Sequence, residues 1–229
     1  MRFAWLAACA ALLVTVAAGA ADAKKSAGAI KANGSIELTD PAGDVSPIHS
    51  SDGVDYPGFD IIKLSLKSDG KQIVVVATLK DPPGAFASEV AEFHFDTDNN
   101  PKSGVQFVYP HIGGFEYDGE LNACVDYEDR SSACAGGSNA KPTAHWAAVK
   151  LSRYKGKNEY DRETIVDPLG FPGSKESAKT PITGNVVQGS FEYRDLKVKS
   201  GQTIRLMVKE SHGNDENGGY FPEILLKLK

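Results

Sequence analysis

Cysteine is scarce in this chain of 229 residues: there are three, and Cys9 lies in the N-terminal apolar run. Cys124 and Cys134 are too far apart for a C-x-x-C redox pair and have no further ligands nearby for zinc. An oxidised pair closing a small loop is therefore the expectation. Beyond residue 23 there is one methionine, Met207, and one tryptophan, Trp146. The sequence has no Gly-x-Ser-x-Gly and no His-Glu-x-x-His, which removes the common hydrolase and metalloprotease signatures. His111, His145 and His212 stand without metal-ligand spacing. Carboxylates are plentiful, but a glycosidase requires a defined separation between two of them, which sequence does not supply. The 25 basic and 30 acidic residues are interspersed, so there is no basic footprint for nucleic acid. A helical period of useful length is missing after the N-terminus, as is any later apolar run able to span a bilayer. These absences predict a chain that performs no catalysis.

What is present begins with Met1-Arg2, an apolar run from Phe3 to about Ala18, and small residues through Ala23. This is the pattern of a secretory signal peptide over residues 1–23, cleaved after Ala20 or Ala23. Leu6-Ala7-Ala8-Cys9 offers lipidation of Cys9 as an alternative, with a very short apolar segment ahead of it. The expected location is secreted or periplasmic. Residues 24–34 read as a flexible leader, and 35–229 as a single domain.

Within that domain, alternation marks strands. Ile62, Leu64 and Leu66 oppose Lys63, Ser65 and Lys67, and Asp69-Gly70 then turns the chain. Gln72 to Lys80 is apolar at nearly every position, which predicts a central strand buried on both faces. Ala91 to Phe95, Val105 to Tyr109, Gly114 to Tyr127, Thr143 to Tyr154, Gly189 to Val198, Gln202 to Glu210 and the tail from Glu223 complete the set. Residues 155–186 have little periodicity and read as a long irregular insertion. Short strands separated by turn chemistry predict an all-β fold, a jelly-roll-like antiparallel β-sandwich.

Asp96-Thr97-Asp98-Asn99-Asn100-Pro101-Lys102-Ser103-Gly104 follows one such strand. Oxygen side chains at alternate positions suit Ca²⁺, and a polar turn bonding its own backbone is the other reading. An EF-hand is excluded, because Pro101 and Phe107 stand where that loop needs Gly and a bidentate Glu.

Asp40-Pro41-Ala42-Gly43-Asp44, Gly58-Phe59-Asp60-Ile61 and Asp69-Gly70 resemble the opening of DOMON-like, glucodextranase-type domains. Phe95 to Asn100, Ser103-Gly104 and Gly114-Phe115-Glu116-Tyr117 are similar to carbohydrate-binding module family 9-like domains. The resemblance covers roughly residues 35–229, is strongest up to Tyr127, and does not extend to 155–186. It implies a structural calcium site from Asp96, Asp98 and Asn100, completed by the Lys102 carbonyl and Glu116, with Ser103 in place of the usual threonine. It also suggests a second acidic site from Asp40, Asp44 and Asp60, each of which reads equally as a turn or cap residue.

The implied partner is a glycan or cell-envelope polymer, which needs rings presented on a surface. Strand alternation puts Trp146 and Tyr154 together on the more polar face of their strand, unless Trp146 packs under the 155–186 segment. Some DOMON-like domains hold b-type haem. Here Met207 and His94 lie on polar strand faces, with Arg205 and Lys209 flanking Met207, a poor lining for haem. The leading expectation is a calcium-stabilised binding module. The alternative is a structural or protein-interaction sandwich without sugar binding.

Overall fold

A computed structural model of the chain describes residues 15–17, 29–40, 42–43, 45, 48–49, 55–56, 59–84, 87–106, 113–134, 139–210 and 219–229. Most of the expected signal peptide, Asp44 and the strand residues 107–109 lie outside them. So do Tyr109, His111 and His212.

The chain enters with β1 (Thr15–Ala17), β2 (Ile30–Asn33) and β3 (Ser35–Thr39). A short pair, β4 (Ile48–His49) and β5 (Asp55–Tyr56), precedes the hairpin of β6 (Ile61–Ser68) and β7 (Gln72–Leu79). Next come β8 (Ser88–Asp96), β9 (Val105–Gln106), β10 (Gly113–Phe115), β11 (Tyr117–Tyr127) and β12 (Ser132–Ala133). The long β13 (Pro142–Tyr154) leads into β14 (Arg162–Asp167), β15 (Lys175–Glu176), β16 (Thr180–Pro181) and β17 (Val186–Glu192). After the single-turn α1 (Tyr193–Leu196), β18 (Thr203–Glu210) and β19 (Ile224–Lys227) close the chain.

Apart from the two-stranded pairs β4–β5 and β9–β10, these strands form two sheets. The smaller runs β1-β3-β6-β7-β17, and the larger β15-β14-β13-β11-β8-β18-β19-β2. Their centres are antiparallel, and parallel pairs occur only where β1, β2 and β15 join at the edges. The fold is all-β, as the alternation predicted. The segment 155–186 is more regular than expected, because β14, β15 and β16 extend the larger sheet.

One apolar layer joins the sheets. Leu64, Leu66, Ile73, Val75 and Phe191 from the smaller sheet meet Phe93, Phe95, Leu121, Leu151 and Leu206 from the larger, all buried. Phe191 packs against Phe93 and Phe95 at centroid distances of 5.4 and 5.0 Å. Space for these rings exists because Gly119 faces them without a side chain; a Cβ there would lie 2.7 Å from Phe191. The expectation that β7 is buried on both faces is corrected. Only alternate residues are fully buried, and Val74, Val76 and Thr78 on its outer side are half-buried. The apolar β-branched run suits a strand whether or not its outer face is covered.

The larger sheet differs. Its outer face carries a second layer, with Val105, Phe115, Tyr154 and Met207 in one patch and Cys124, Trp146 and Ala148 in another. Tyr220 packs on the first patch and Cys134 on the second. The charged residues discussed below lie on this covered face.

Candidate functional site on the outer face of the larger sheet

Strand register determines which polar residues meet. β8 pairs with β11 so that His94 opposes Asp118 and Glu92 opposes Glu120. On the other side of β8, β18 sets Arg205 against Asp96, Met207 against His94 and Lys209 against Glu92. Because side chains alternate along each strand, β8 and β11 present an acidic strip and β18, β13 and β14 flank it with cations. Lys150 pairs with Glu120 at 2.7 Å, and Arg162 donates to Asp118.

At one end of this face lies the expected calcium loop. Donor oxygens of Asp96, Asp98 and Glu116 all fall within 4.8 Å of one another. The loop is also braced by its own hydrogen bonds. The Asn100 N–H donates to Asp96 and Asp98, Ser103 Oγ to Asp98 and Glu116, and the Thr97 N–H to Glu116 at 2.7 Å. The Asn100 side-chain oxygen accepts the Lys102 N–H at 3.2 Å, so it is engaged within the turn. Of the five expected ligands, the three carboxylates converge, and the polar-turn geometry is present as well.

Arg205 completes this end. Its Nε and Nη2 both reach Asp96 Oδ2 at 2.8 Å, a further Nη2 bond goes to the Gly113 carbonyl, and the guanidinium lies 4.8 Å from the Phe115 ring centroid. Gly114, at φ +92°, lets the β10 segment press onto the loop; a Cβ there would lie 2.6 Å from the Asn100 carbonyl and 2.7 Å from Arg205. Burial pushes the Asp96 carboxyl up, while Arg205 and the Asn100 N–H oppose the shift. Burial likewise raises Glu116, and the neighbouring Asp98 and Asp96 charges add to it. Three carboxylates held this close repel one another, and a cation relieves that repulsion.

Deeper on the same face is a group that sequence reading did not assemble. Glu92, His94 and Asp118 bring a ligand atom each within 4.8 Å of one another. His94 Nδ1 lies 3.6 Å from Asp118 Oδ1, and His94 Nε2 lies 3.7 Å from Glu92 Oε1. Side-chain exposure is 4% for His94, 2% for Asp118 and 25% for Glu92. Burial, with Lys209 and Arg162 adding to it, lowers the His94 pKa to about 3, so the ring is neutral. Burial, with the Glu92 charge next, raises Asp118 to about 7. The available signal was the period-two pattern Glu92-x-His94-x-Asp96 beside Glu116-x-Asp118-x-Glu120. Only the register between the two strands shows that they meet.

The second expected acidic site does not assemble among the described residues. Asp60 is buried, accepts the Gly43 N–H at 2.7 Å and lies 3.7 Å from Lys80 Nζ, so it anchors the turn after β3. Asp40 sits at the end of β3, where its N–H donates to the Ile62 carbonyl. Neither belongs to a three-donor cluster, and Asp44 lies outside the described residues.

The expected ring platform is also corrected. Trp146 and Tyr154 do lie on the outer face, but they are 4% and 8% exposed. Trp146 pairs with Pro181 of β16, packs on the Cys124–Cys134 disulfide, donates Nε1–H to Asp126 and lies 4.2 Å beneath Lys179 Nζ. It therefore packs under the 155–186 segment. Tyr154 packs in the patch with Val105, Phe115 and Met207. As for haem, Met207 and His94 are direct cross-strand partners. Such partners have Cβ atoms only about 5 Å apart and parallel side chains, which leaves no room for a porphyrin standing between them.

The exposed rings belong to the insertion: Tyr160 is 81% and Phe171 65% exposed. The same segment contributes Lys175, Glu176, Ser177 and Ala178 to a cleft of about 310 Å³ between the edges of the two sheets. Val149, Leu151, Val166 and Phe191 form its apolar wall, and Lys175, paired to Glu192 at 2.8 Å and Asp195 at 3.3 Å, forms its rim. Phe171 opens the turn that leads into Lys175, its carbonyl accepting from the Ser174 N–H at 2.9 Å.

No family model matches the chain, and neither a curated protein nor a solved structure matches it.

Proposed function

We propose that this chain is a secreted or periplasmic, non-catalytic binding module that takes a glycan or cell-envelope polymer on the surface of the 155–186 segment. The observation that carries this reading is that one segment both exposes the rings of Tyr160 and Phe171 and supplies Lys175 and Glu176 to a partly apolar cleft. A pyranose places its C–H face on a ring, and its hydroxyls need fixed charged or polar partners. Lys175, Glu192 and Asp195 are such partners. The expected residues Trp146 and Tyr154 support the fold from beneath and leave recognition to Tyr160 and Phe171.

Calcium at Asp96, Asp98 and Glu116 belongs to the same proposal. Hard oxygen donors suit that ion, and there it would tie the end of β8 to the start of β11. Its role is structural. Chelation should lower the melting temperature, and Asp98→Ala should remove that response.

The binding test is retention on insoluble polysaccharides and peptidoglycan. The full chain should be retained by at least one polymer, and Tyr160→Ala with Phe171→Ala should weaken retention by tenfold or more. Retention by none, or an unchanged affinity in the double variant, overturns the reading. The exposed side chains of Leu169 and Phe171 favour a second reading, a protein-interaction module. That reading predicts no retention on any polymer.

A further inference from the structure

We propose that Glu92, His94 and Asp118 form a binding site for a divalent transition metal of the zinc or manganese type, chemically distinct from the calcium loop. It does not depend on the polymer-binding reading.

The donor set carries the choice of ion. An imidazole nitrogen with two carboxylates matches the borderline first-row metals, whereas calcium and magnesium take oxygen alone. Ligand bonds of about 2.0–2.2 Å to zinc place donors of one ion roughly 3.0–3.6 Å from each other. One ligand atom from each residue lies within 4.8 Å of the others, and of the 3.6 and 3.7 Å contacts, made by opposite nitrogens of the His94 ring, one ion can use only one. Closure of the site therefore requires one carboxylate to swing to the His94 nitrogen that faces the other, which the adjacent, hydrogen-bonded strands β8 and β11 allow by rotamer change.

A second observation is independent of the clustering. Asp118 is 2% exposed; its Oδ2 accepts from Arg162, its carboxyl is in hydrogen-bonding contact with that of Glu92, and its Oδ1, which faces the His94 ring, has no N–H or hydroxyl donor. A buried acceptor left without a partner is destabilising, more so when charged. A metal ion would satisfy that oxygen. A proton on the carboxyl would also satisfy it, and this is the rival outcome.

The surroundings allow an ion to enter. Glu92 is the exposed member and opens the site to solvent. Glu120 is already committed to Lys150 at 2.7 Å, and Arg162, with a side chain 39% exposed, engages Asp118 Oδ2 and not the Oδ1 that faces His94. Lys209, opposite Glu92 on β18, supplies positive charge that an ion must displace from its carboxylate. This competition predicts a micromolar site.

Untagged full chain, stripped with chelator, would be titrated with Zn²⁺ by calorimetry and with Co²⁺ by visible absorption. The expected result is one equivalent bound at micromolar Kd, with a Co²⁺ d–d band. His94→Ala should abolish the band, and Glu92→Gln should weaken binding at least tenfold with the far-ultraviolet spectrum intact. Asp98→Ala, in the calcium loop, should leave Zn²⁺ binding unchanged. Glu92→Gln sits at the exposed side of the site, so it keeps the test valid if the buried His94→Ala variant fails to fold. The proposal is overturned if no equivalent binds, if the Glu92 variant binds like the parent, or if Asp98→Ala removes the Zn²⁺ site.

Discussion

Replacing Arg205 with methionine tests whether the buried charge network has been read correctly. Asp96 has no exposed surface, and Arg205, itself 7% exposed, is the cation that meets its Oδ2. Methionine keeps much of the apolar stem over Phe115 but leaves the carboxylate with the Asn100 N–H as its donor. It also strips the Gly113 carbonyl of its guanidinium bond. Removing one partner of a buried pair costs about 3–5 kcal/mol, because the other charge remains desolvated. In a chain of this size that corresponds to a fall of roughly 6–20 °C in Tm. The assay is equilibrium urea unfolding in EDTA, followed by circular dichroism and by Trp146 fluorescence. The double variant with Asp96→Asn should recover most of the loss, since no orphan charge then remains. A single-variant cost below about 1 kcal/mol, or a double variant no more stable than the single, would refute the argument. Either result would mean that Asp96 is solvated or protonated irrespective of Arg205.

Three further expectations concern the supports of the fold. Opening the Cys124–Cys134 bridge, which spans 10 residues of sequence, should cost about 3 kcal/mol by loop entropy; paired Cys→Ala variants compared by urea denaturation measure it. Gly119→Ala should cost about 1–3 kcal/mol by overpacking, because its Cβ would sit 2.7 Å from Phe191 and 2.9 Å from Phe95; a neutral or stabilising result would show that the rings can move apart. Ser132 and then Trp146 donate to Asp126 and hold its carboxyl below the ordinary value of 3.8. That stability is present above the unfolded pKa and is lost as pH falls through the lower folded one. Trp146 emission should therefore shift only below about pH 4, and Asp126→Asn should remove the transition.

The features legible from sequence were those carried by neighbouring residues. Alternation of Ile204, Leu206 and Val208 against Arg205, Met207 and Lys209 gave both the strand and its faces. The same reasoning placed His94 outward, and two isolated cysteines gave the disulfide. The acidic turn was legible because Asp96, Asp98 and Asn100 lie within five residues. Reading failed where a face had to be assigned an environment. Alternation places Trp146 and Tyr154 outward but leaves open whether that face is covered; both are buried, because the 155–186 segment and the β9–β10 pair fold over the larger sheet. The same segment was expected to be irregular, since strands of two residues such as β15 and β16 are too short to show a period.

Sequence alone therefore determined the all-β class, the disulfide partners and the acidic turn, each a matter of local periodicity or of counting. Tertiary structure alone decided which outward residues are covered and which charges meet. Glu92 and His94 lie on one strand and Asp118 on another, some 24 positions later in the chain, and a one-residue slip between them would send Asp118 to the opposite face. Pairing register is set by the packing of the whole core, and no local stretch contains it.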